Sequence, residues 1–172
     1  MTTRDALRGL LIYGAGDAAA AALGGEFAAR RLVGMALVGA TLYALEIPAW
    51  FRWIDRRSPR AGAAAAWRRT GWAMLYFNPL WIARHLLFIR LFQGRFDLIR
   101  WSLVSAGAGS FLVNVPISAA ANWLIQNRVP APWRFAASAT FSAMMAVYYA
   151  WSGARFQFHV AAGATGWDIA RS

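Results

Sequence analysis

With 172 residues, of which 59% are hydrophobic, the chain is more apolar than a soluble domain, whose apolar fraction is about 45–50%. The net charge is +11 and all 18 cationic residues are arginines at the ends of apolar runs, which favours anionic lipid headgroups over nucleic acid as a partner. The chain has no cysteine, which excludes disulfides and cysteine catalysis. The composition therefore predicts an integral membrane protein.

The apolar runs predict an all-α, polytopic membrane helix bundle with four or five transmembrane helices. About 20 residues, at ~1.5 Å rise each, cross the ~30 Å hydrocarbon core of a bilayer. The runs lie at about residues 6–23, 32–53, 72–92, 101–126 and 133–152. No repeat or linker divides them, so we expect one transmembrane domain over residues 1–172. Both span counts remain open, because five spans place the arginines of residues 90–100 outside, against the positive-inside rule.

The first run is rich in glycine and alanine, which allows a neighbouring helix to approach closely. Tyr13, Asp17 and Ala21 fall on one face of the predicted helix. Asp17 should therefore point at protein, either as a group that caps or bridges helices or as part of a solute path.

The second run carries Glu46 and Pro48 inside an apolar stretch. A carboxylate in hydrocarbon costs roughly 2.5–3.5 kcal/mol on insertion scales, so Glu46 should face a partner or a cavity. Two roles are open: a buried ion pair with Arg84 that locks two helices, or a carboxylate that binds a proton or a substrate ammonium group. The basic residues from Arg56 to Arg69 predict a cytoplasmic loop, and the lysine-free, alanine-rich composition suits a bacterial inner membrane.

The third run contains Asn78 before a proline, which predicts a kink, and then Arg84 and His85. Asn78 and His85 lie a heptad apart and share a helix face. We interpret His85 as a hydrogen-bonding residue at a helix interface rather than a proton relay, because no second histidine lies within helical reach. For the same reason we predict no metal site.

The fourth run has the clearest polar pattern in the chain. Ser110, Asn114, Ser118 and Asn122 recur every four residues on one stripe. Polar residues at that period in an apolar helix do not face lipid. The stripe therefore lines either a helix interface or a water-filled path between helices.

The sequence contains no HExxH, GxSxG or P-loop motif, so we predict neither an enzyme nor a cofactor. Instead, we expect a set of polar residues to converge between the helices as a path or site for a small polar solute. The set is Asp17, Glu46, Asn78, Arg84, His85, Asn114, Ser118 and Asn122. A single copy with four or five helices encloses little volume. We therefore expect a homo-oligomer if the protein transports a solute. The alternative is a non-catalytic accessory or assembly subunit of a larger membrane complex.

Several different short motifs are distributed over most of the chain. They are Gly16-Asp17, Trp50-Phe51, Ile54-Asp55, Pro116, Asn122-Trp123, and Val129-Pro130 before Trp133-Arg134. In this order they resemble the Mpv-type peroxisomal and mitochondrial inner-membrane proteins, and the resemblance implies a four-helix, channel-like protein. The chain departs from that family in lacking a glutamine after Gly16-Asp17 and in having extra residues between Asn122 and Pro130.

A second group of motifs consists of Arg31-Leu32-Val33, Pro48 with Arg52, and Phe77-Asn78-Pro79. This group is similar to the small bacterial L-alanine exporters of the AlaE family. The resemblance implies export of L-alanine or another small amino acid. The Asn and Tyr-Gly positions of that family are not reproduced, and its members end near the fourth run, which leaves residues 133 onward unmatched.

Overall fold

A computed structural model describes residues 1–25, 27–58 and 62–167 of the chain, with side chains up to residue 151. The predicted all-α class is confirmed, since the described residues form helices and no strand. The helices are α1 (Thr3–Leu23), α2 (Ala29–Val38), α3 (Ala44–Arg57), α4 (Ala63–Tyr76), α5 (Pro79–Gln93), α6 (Ser102–Asn127) and α7 (Ala131–Trp167). A π-helical turn, Gly39–Tyr43, joins α2 to α3, and a 3-10 turn, Phe96–Leu98, lies between α5 and α6.

Helix α1 begins at a side-chain cap and ends at glycine. The hydroxyl oxygen of Thr2 accepts a hydrogen bond from the backbone N–H of Asp5 at 3.1 Å, which satisfies one of the free donors of the first turn. Beyond the last turn, Gly25 has φ +69°, a conformation that glycine adopts without a Cβ clash. Tyr13 and Asp17 lie on the buried face, as their spacing predicts.

Helices α2 and α3 form one continuous helix, Ala29–Arg57, which extends the predicted run of residues 32–53 at both ends. Pro48 lies inside α3 and lacks an N–H, so the carbonyl of Ala44 loses its helical donor. The helix widens into the π-helical turn just before Ala44. Such wide turns accommodate an irregular hydrogen-bond ladder inside an otherwise α-helical segment.

The third run is not one kinked helix over residues 72–92 but two helices, α4 and α5. The side-chain oxygen of Asn78 caps α5 by accepting a hydrogen bond from the N–H of Trp81 at 3.0 Å, and its amide nitrogen donates to the carbonyl of Leu75 at 3.0 Å. Pro79 occupies the first helical position, where a missing N–H has no consequence. Helix α4 already begins at Ala63, so the second half of the expected loop of residues 56–69 is helical.

Among the described residues, three helices are long and apolar enough to cross a membrane. They are α1, the continuous helix Ala29–Arg57, and α6. These helices support an integral membrane protein of the polytopic class.

Side-chain contacts define the two ends of the bundle. At one end, which we call the basic end, a guanidinium N–H of Arg8 donates to the carbonyl of Pro132 at 2.6 Å, and Asp55 pairs with Arg69 and Arg134. The start of α1, the end of α3, the start of α4 and the α6–α7 turn therefore lie together. At the opposite end, the far end, Arg30 at the start of α2 donates to the carbonyl of Gln93 at the end of α5.

The apolar core is centred on α3. Tyr43, Ile47, Phe51 and Ile54 are buried at helical spacing and pack against α1, α4, α6 and α7. The backbones of α1 and the π-helical turn are also in close contact. A Cβ on Gly9 of α1 would overlap a backbone carbonyl of the turn, so only glycine fits there. Small residues thus allow the close helix approach expected in a membrane bundle.

Candidate functional site

A buried ion pair joins the first two helices. The Nε and Nη2 groups of Arg31 donate to the carboxylate of Asp17 at 2.8–3.1 Å, and the two side chains are only 7% and 5% exposed. Two parallel N–H donors fix the geometry of the pair. Asp17 therefore bridges helices, which is one of its two expected roles.

The same ion pair lies on the wall of an interior cavity. The cavity measures about 420 Å³ and is lined by residues of α1, α2, α5, α6 and α7. Its apolar wall consists mainly of aromatic and large aliphatic side chains of α5, α6 and α7. On α7 the lining runs from Ser138 near the basic end to Ala150 near the far end. Gly16, the neighbour of Asp17, contacts Ala143, which places the ion pair about halfway along the cavity.

A histidine lies beside the ion pair on the cavity wall. Nδ1 of His85 is 3.0 Å from the hydroxyl of Tyr43, and the imidazole stacks on the indole of Trp81 with ring centroids 5.6 Å apart. Tyr43 is fully buried. The hydrogen bond and the stacking hold the His85 ring in place, with one edge bound to protein and the ring lining the cavity.

Two residues that line the cavity each carry a buried polar atom that has no partner among the described residues. Asn122 is 3% exposed; its amide nitrogen donates to the carbonyl of Ser118 at 2.9 Å, but its Oδ1 has no donor. The indole N–H of Trp81 is likewise buried without an acceptor. Buried polar atoms are paired in the great majority of cases, so each exception needs an explanation.

Asn114, the second member of the predicted stripe on α6, bridges to α7. Its amide nitrogen donates to the hydroxyl of Tyr149 at 2.6 Å and to the carbonyl of Ser110 at 2.8 Å. Tyr149 lines the cavity, so Asn114 supports the wall without lining it. The stripe as a whole faces protein, as its period predicts.

Glu46 and Arg84 form the expected ion pair, but outside the cavity. The two guanidinium nitrogens Nη1 and Nη2 of Arg84 donate to Glu46 at 3.1 and 2.7 Å, and the hydroxyl of Tyr76 donates to the same carboxylate at 2.8 Å. The side chains are 32% and 30% exposed, so the pair is less buried than expected. The guanidinium carbon of Arg84 lies 5.7 Å from the centre of the Tyr43 ring.

Of the eight predicted residues, the structure brings four to the cavity. These are Asp17, His85, Ser118 and Asn122. Asn114 supports the wall, Asn78 caps α5, and Glu46 with Arg84 lies on the other face of α5. Ser138 and Ser142 of α7 also line the cavity, although the predicted set does not include them. Their spacing of four residues matches that of the stripe on α6 and could have indicated that they face the same interior.

Sequence reasoning also missed an ion-pair network at the basic end. Asp55 accepts hydrogen bonds from Arg69 at 2.6 Å and from Arg134 at 2.9 and 3.0 Å. Arg69, which is 2% exposed at the side chain, also donates to the carbonyl of Gln126 at 3.0 Å. With 7 acidic residues against 18 arginines, a carboxylate at a span end was a strong candidate for such a partner.

This network lies directly beyond the cavity. Arg134 precedes the cavity residue Ser138 by four positions on α7, and Gln126 follows Asn122 by four positions on α6, so each lies one helical turn past the lining. The network ties α3, α4, α6 and α7 together across the basic end. It therefore crosses the bundle one helical turn beyond the lining residues Ser138 and Asn122.

Outside the apolar helices, an exposed pair offers a contrast. The guanidinium of Arg95 hydrogen-bonds Asp97 at 3.4 Å and holds the pKa of that carboxyl below its usual range. Both side chains are more than half exposed. Such pairs add little to stability.

Comparisons with known protein families, with curated proteins and with solved structures find no match to this chain. Within the described residues, no group of three or more His, Asp or Glu side chains is arranged to hold a metal ion. The cavity wall combines the Asp17–Arg31 ion pair, the guanidinium group of Arg90, neutral hydrogen-bonding groups and apolar side chains. This arrangement can bind a molecule that carries a polar group and an apolar part.

Proposed function

We propose that this chain is a polytopic membrane protein that binds a small solute in its interior cavity and passes it through the membrane, as a transporter or channel-like protein. The observation that carries the proposal is the cavity of about 420 Å³ with polar residues from α1, α2, α5, α6 and α7 on its wall. Ligand sites typically measure about 300–1,000 Å³ and combine an apolar lining with a few placed polar groups. The resemblances to the Mpv-type and AlaE families point in the same direction.

In the proposed topology, the chain crosses the membrane five times. The crossings are α1, the continuous helix of α2 and α3, the broken helix of α4 and α5, α6, and α7. Arginine is more frequent at the basic end than at the far end, so the basic end is cytoplasmic by the positive-inside rule. The proposed location is a bacterial inner membrane. We infer that the Asp55 network closes the basic end and that the cavity opens toward the far end, an arrangement typical of a transporter in one of its two states rather than of an open channel.

A flux assay in proteoliposomes tests this function. Radiolabelled L-alanine and glycerol are the solutes, because the first follows from the AlaE resemblance and the second is a small neutral polar molecule. Ala146→Phe fills part of the cavity, since Ala146 lines it, whereas Val113→Phe adds the same ring at a position that is 78% exposed. We expect flux above empty liposomes that Ala146→Phe blocks and Val113→Phe preserves. No flux of either solute, or equal flux through both variants, would contradict the proposal.

A subunit of a larger membrane complex is the second candidate. The observation that favours it is the partly exposed pair of Glu46 and Arg84, since charged groups inside a membrane normally face protein or a cavity. A partner chain over this face would cover the pair. Mass measurement after mild detergent extraction separates the candidates: co-purifying chains support the subunit, whereas a monomer or homo-oligomer supports the transporter.

A further inference from the structure

We propose that a groove between α1 and α7, on the outer surface of the bundle, binds an anionic phospholipid, with the phosphate at Arg4 and Arg8 and an acyl chain along the groove. The groove is separate from the interior cavity, so this binding goes beyond transport. It rests on the proposed placement of the bundle in a membrane, with the basic end at one surface.

The groove lies where α1 and α7, which both begin at the basic end, run side by side. It measures about 740 Å³ and its lining is almost entirely apolar. Small residues bring the two helices together at its floor, because a Cβ on Gly16 would overlap the Cβ of Ala143. Larger lining side chains, Leu11, Leu23 and Met144, are exposed. The result is a long apolar depression that is open to the surroundings.

The length of the groove matches one leaflet of a bilayer. Its lining on α1 runs from Leu11 to Leu23, about 18 Å at ~1.5 Å per residue. One leaflet contributes about half of the ~30 Å hydrocarbon core. An acyl chain that enters from the basic end therefore lies along the whole groove, where it makes dispersion contacts with both helices.

Two arginines lie on α1 just beyond the basic end of the groove. Arg4 and Arg8 precede the lining residue Ala15 by eleven and seven residues, and both spacings return to the same face of a helix. The Cα–Cβ bonds of a helix tilt toward its N-terminus, so both side chains extend toward the basic end. Long cationic side chains near a helix end place their charge at headgroup level in this way.

The guanidinium of Arg8 is held where the two helices meet. It donates to the carbonyl of Pro132 at 2.6 Å, and its Cζ lies 4.1 Å from the centre of the Trp133 ring. Trp133 is exposed and precedes the lining residue Thr140 by a heptad, so it lies on the groove face of α7. An exposed tryptophan at a helix end is typical of the membrane boundary. A guanidinium has five N–H donors, which leaves Arg8 able to bind a phosphate oxygen as well.

The charges at this end favour a lipid with a net negative charge. Asp5 lies between the two arginines in the sequence and accepts a hydrogen bond from the hydroxyl of Thr2 at 2.7 Å. Two guanidinium groups and one carboxylate leave an excess of positive charge, which attracts an anionic headgroup. A zwitterionic phospholipid brings an ammonium group to the same place and gains less.

A second copy of the chain fits the groove less well than a lipid does. A two-fold symmetric contact brings the same surface of both copies together. Two copies with the same orientation in the membrane would then place their Arg4 and Arg8 clusters against each other at the same depth. Like charges repel, whereas a lipid phosphate compensates the cluster.

Lipid titration of the purified protein in a nonionic detergent tests the headgroup. The probes are phosphatidylglycerol and phosphatidylcholine with the same oleoyl chains, and native mass spectrometry counts the bound lipids. We expect one phosphatidylglycerol per chain at concentrations that leave phosphatidylcholine unbound. Equal binding of the two lipids, or no binding of either, would overturn the proposal.

Two pairs of substitutions with the same charge change locate the site. Arg4→Gln with Arg8→Gln should raise the half-saturating concentration of phosphatidylglycerol by about 25-fold, at about fivefold for each arginine. Arg52→Gln with Arg56→Gln removes two exposed arginines at the same end of the bundle, on α3, and should leave it unchanged. Arg4→Gln alone, at an exposed position, should give the fivefold effect. Equal effects of the two pairs would contradict the site.

The acyl chain is located by phosphatidylglycerol that carries a diazirine in that chain. After unbound lipid is removed, peptide mass spectrometry should find labelled Leu11 and Met144 in the groove but not Val113, which is 78% exposed on α6. Ala15→Phe, which adds a ring inside the groove, should reduce binding, whereas Val113→Phe should preserve it. Equal labelling of Met144 and Val113 would overturn the proposal, and so would a dimer that Ala15→Phe dissociates, because the groove would then hold a second copy. Flux through the cavity is tested separately with Ala146→Phe, so lipid binding and transport can each fail alone.

Discussion

The ion pair between Asp17 and Arg31 should be the most sensitive single contact in the bundle. Replacing Asp17 by Asn keeps an acceptor oxygen but removes the charge opposite a guanidinium that is only 7% exposed. Removal of one partner from a buried pair costs about 3–5 kcal/mol, because the remaining charge stays buried without compensation. For a chain of this size, that loss lowers the melting temperature by roughly 6–20 °C.

The assay is thermal unfolding of the purified protein in a mild detergent, followed by tryptophan fluorescence. Asp97→Asn is the matched control, since it makes the same chemical change in an exposed pair with Arg95, and it should leave the melting temperature unchanged. The double variant Asp17→Leu with Arg31→Met should recover most of the loss, because neither charge is then buried alone. If Asp17→Asn and Asp97→Asn have the same melting temperature, the Asp17–Arg31 pair does not stabilise the bundle as a buried bridge, and the reasoning is refuted.

Three further predictions concern the rest of the bundle. Gly9→Ala should destabilise the protein strongly, because the added Cβ would overlap the backbone of the π-helical turn. Gly109→Ala, which has open space around it, should be neutral or stabilise the protein by up to about 1 kcal/mol. Thermal unfolding in detergent compares the two variants. Asp55→Asn should lower the melting temperature far more than Asp5→Asn, since two buried arginines lose their carboxylate, and equal effects would contradict the network. Glu46→Gln should leave solute flux in proteoliposomes unchanged, because Glu46 lies outside the cavity, and a loss of flux would place it in the path.

Local periodicity was sufficient to predict several features of the site. The spacing of four along α6 placed Asn114, Ser118 and Asn122 on a protein-facing stripe, and the position of Asp17 among small residues placed it toward a neighbouring helix. These features depend on the helix repeat alone, which the sequence contains directly.

Features that depend on tertiary arrangement were not predictable in the same way. Arg84 and His85 are adjacent, and neighbouring helix residues point about 100° apart, so which of the two faces the cavity depends on how α5 is rotated in the bundle. Which arginine pairs with which acid is set by the helix positions. The sequence pattern therefore placed Arg69 in the predicted loop of residues 56–69 and left Arg31 just outside the second run. The break before α5 had a local signal, because Asn78 is a favourable cap before a proline, but it was interpreted as a kink.

The most direct test of an interior cavity that is closed at the basic end is cysteine accessibility. The chain has no cysteine, so Ser142→Cys introduces a single thiol on the cavity wall, and Met144→Cys places the control thiol at an exposed position two residues away. Membrane vesicles of both orientations are treated with a water-soluble, membrane-impermeant methanethiosulfonate. Modification of Ser142→Cys from the far-end side alone, with Met144→Cys unmodified from either side, is the predicted result. Modification from the basic end, or the same low reactivity at both positions, would contradict it.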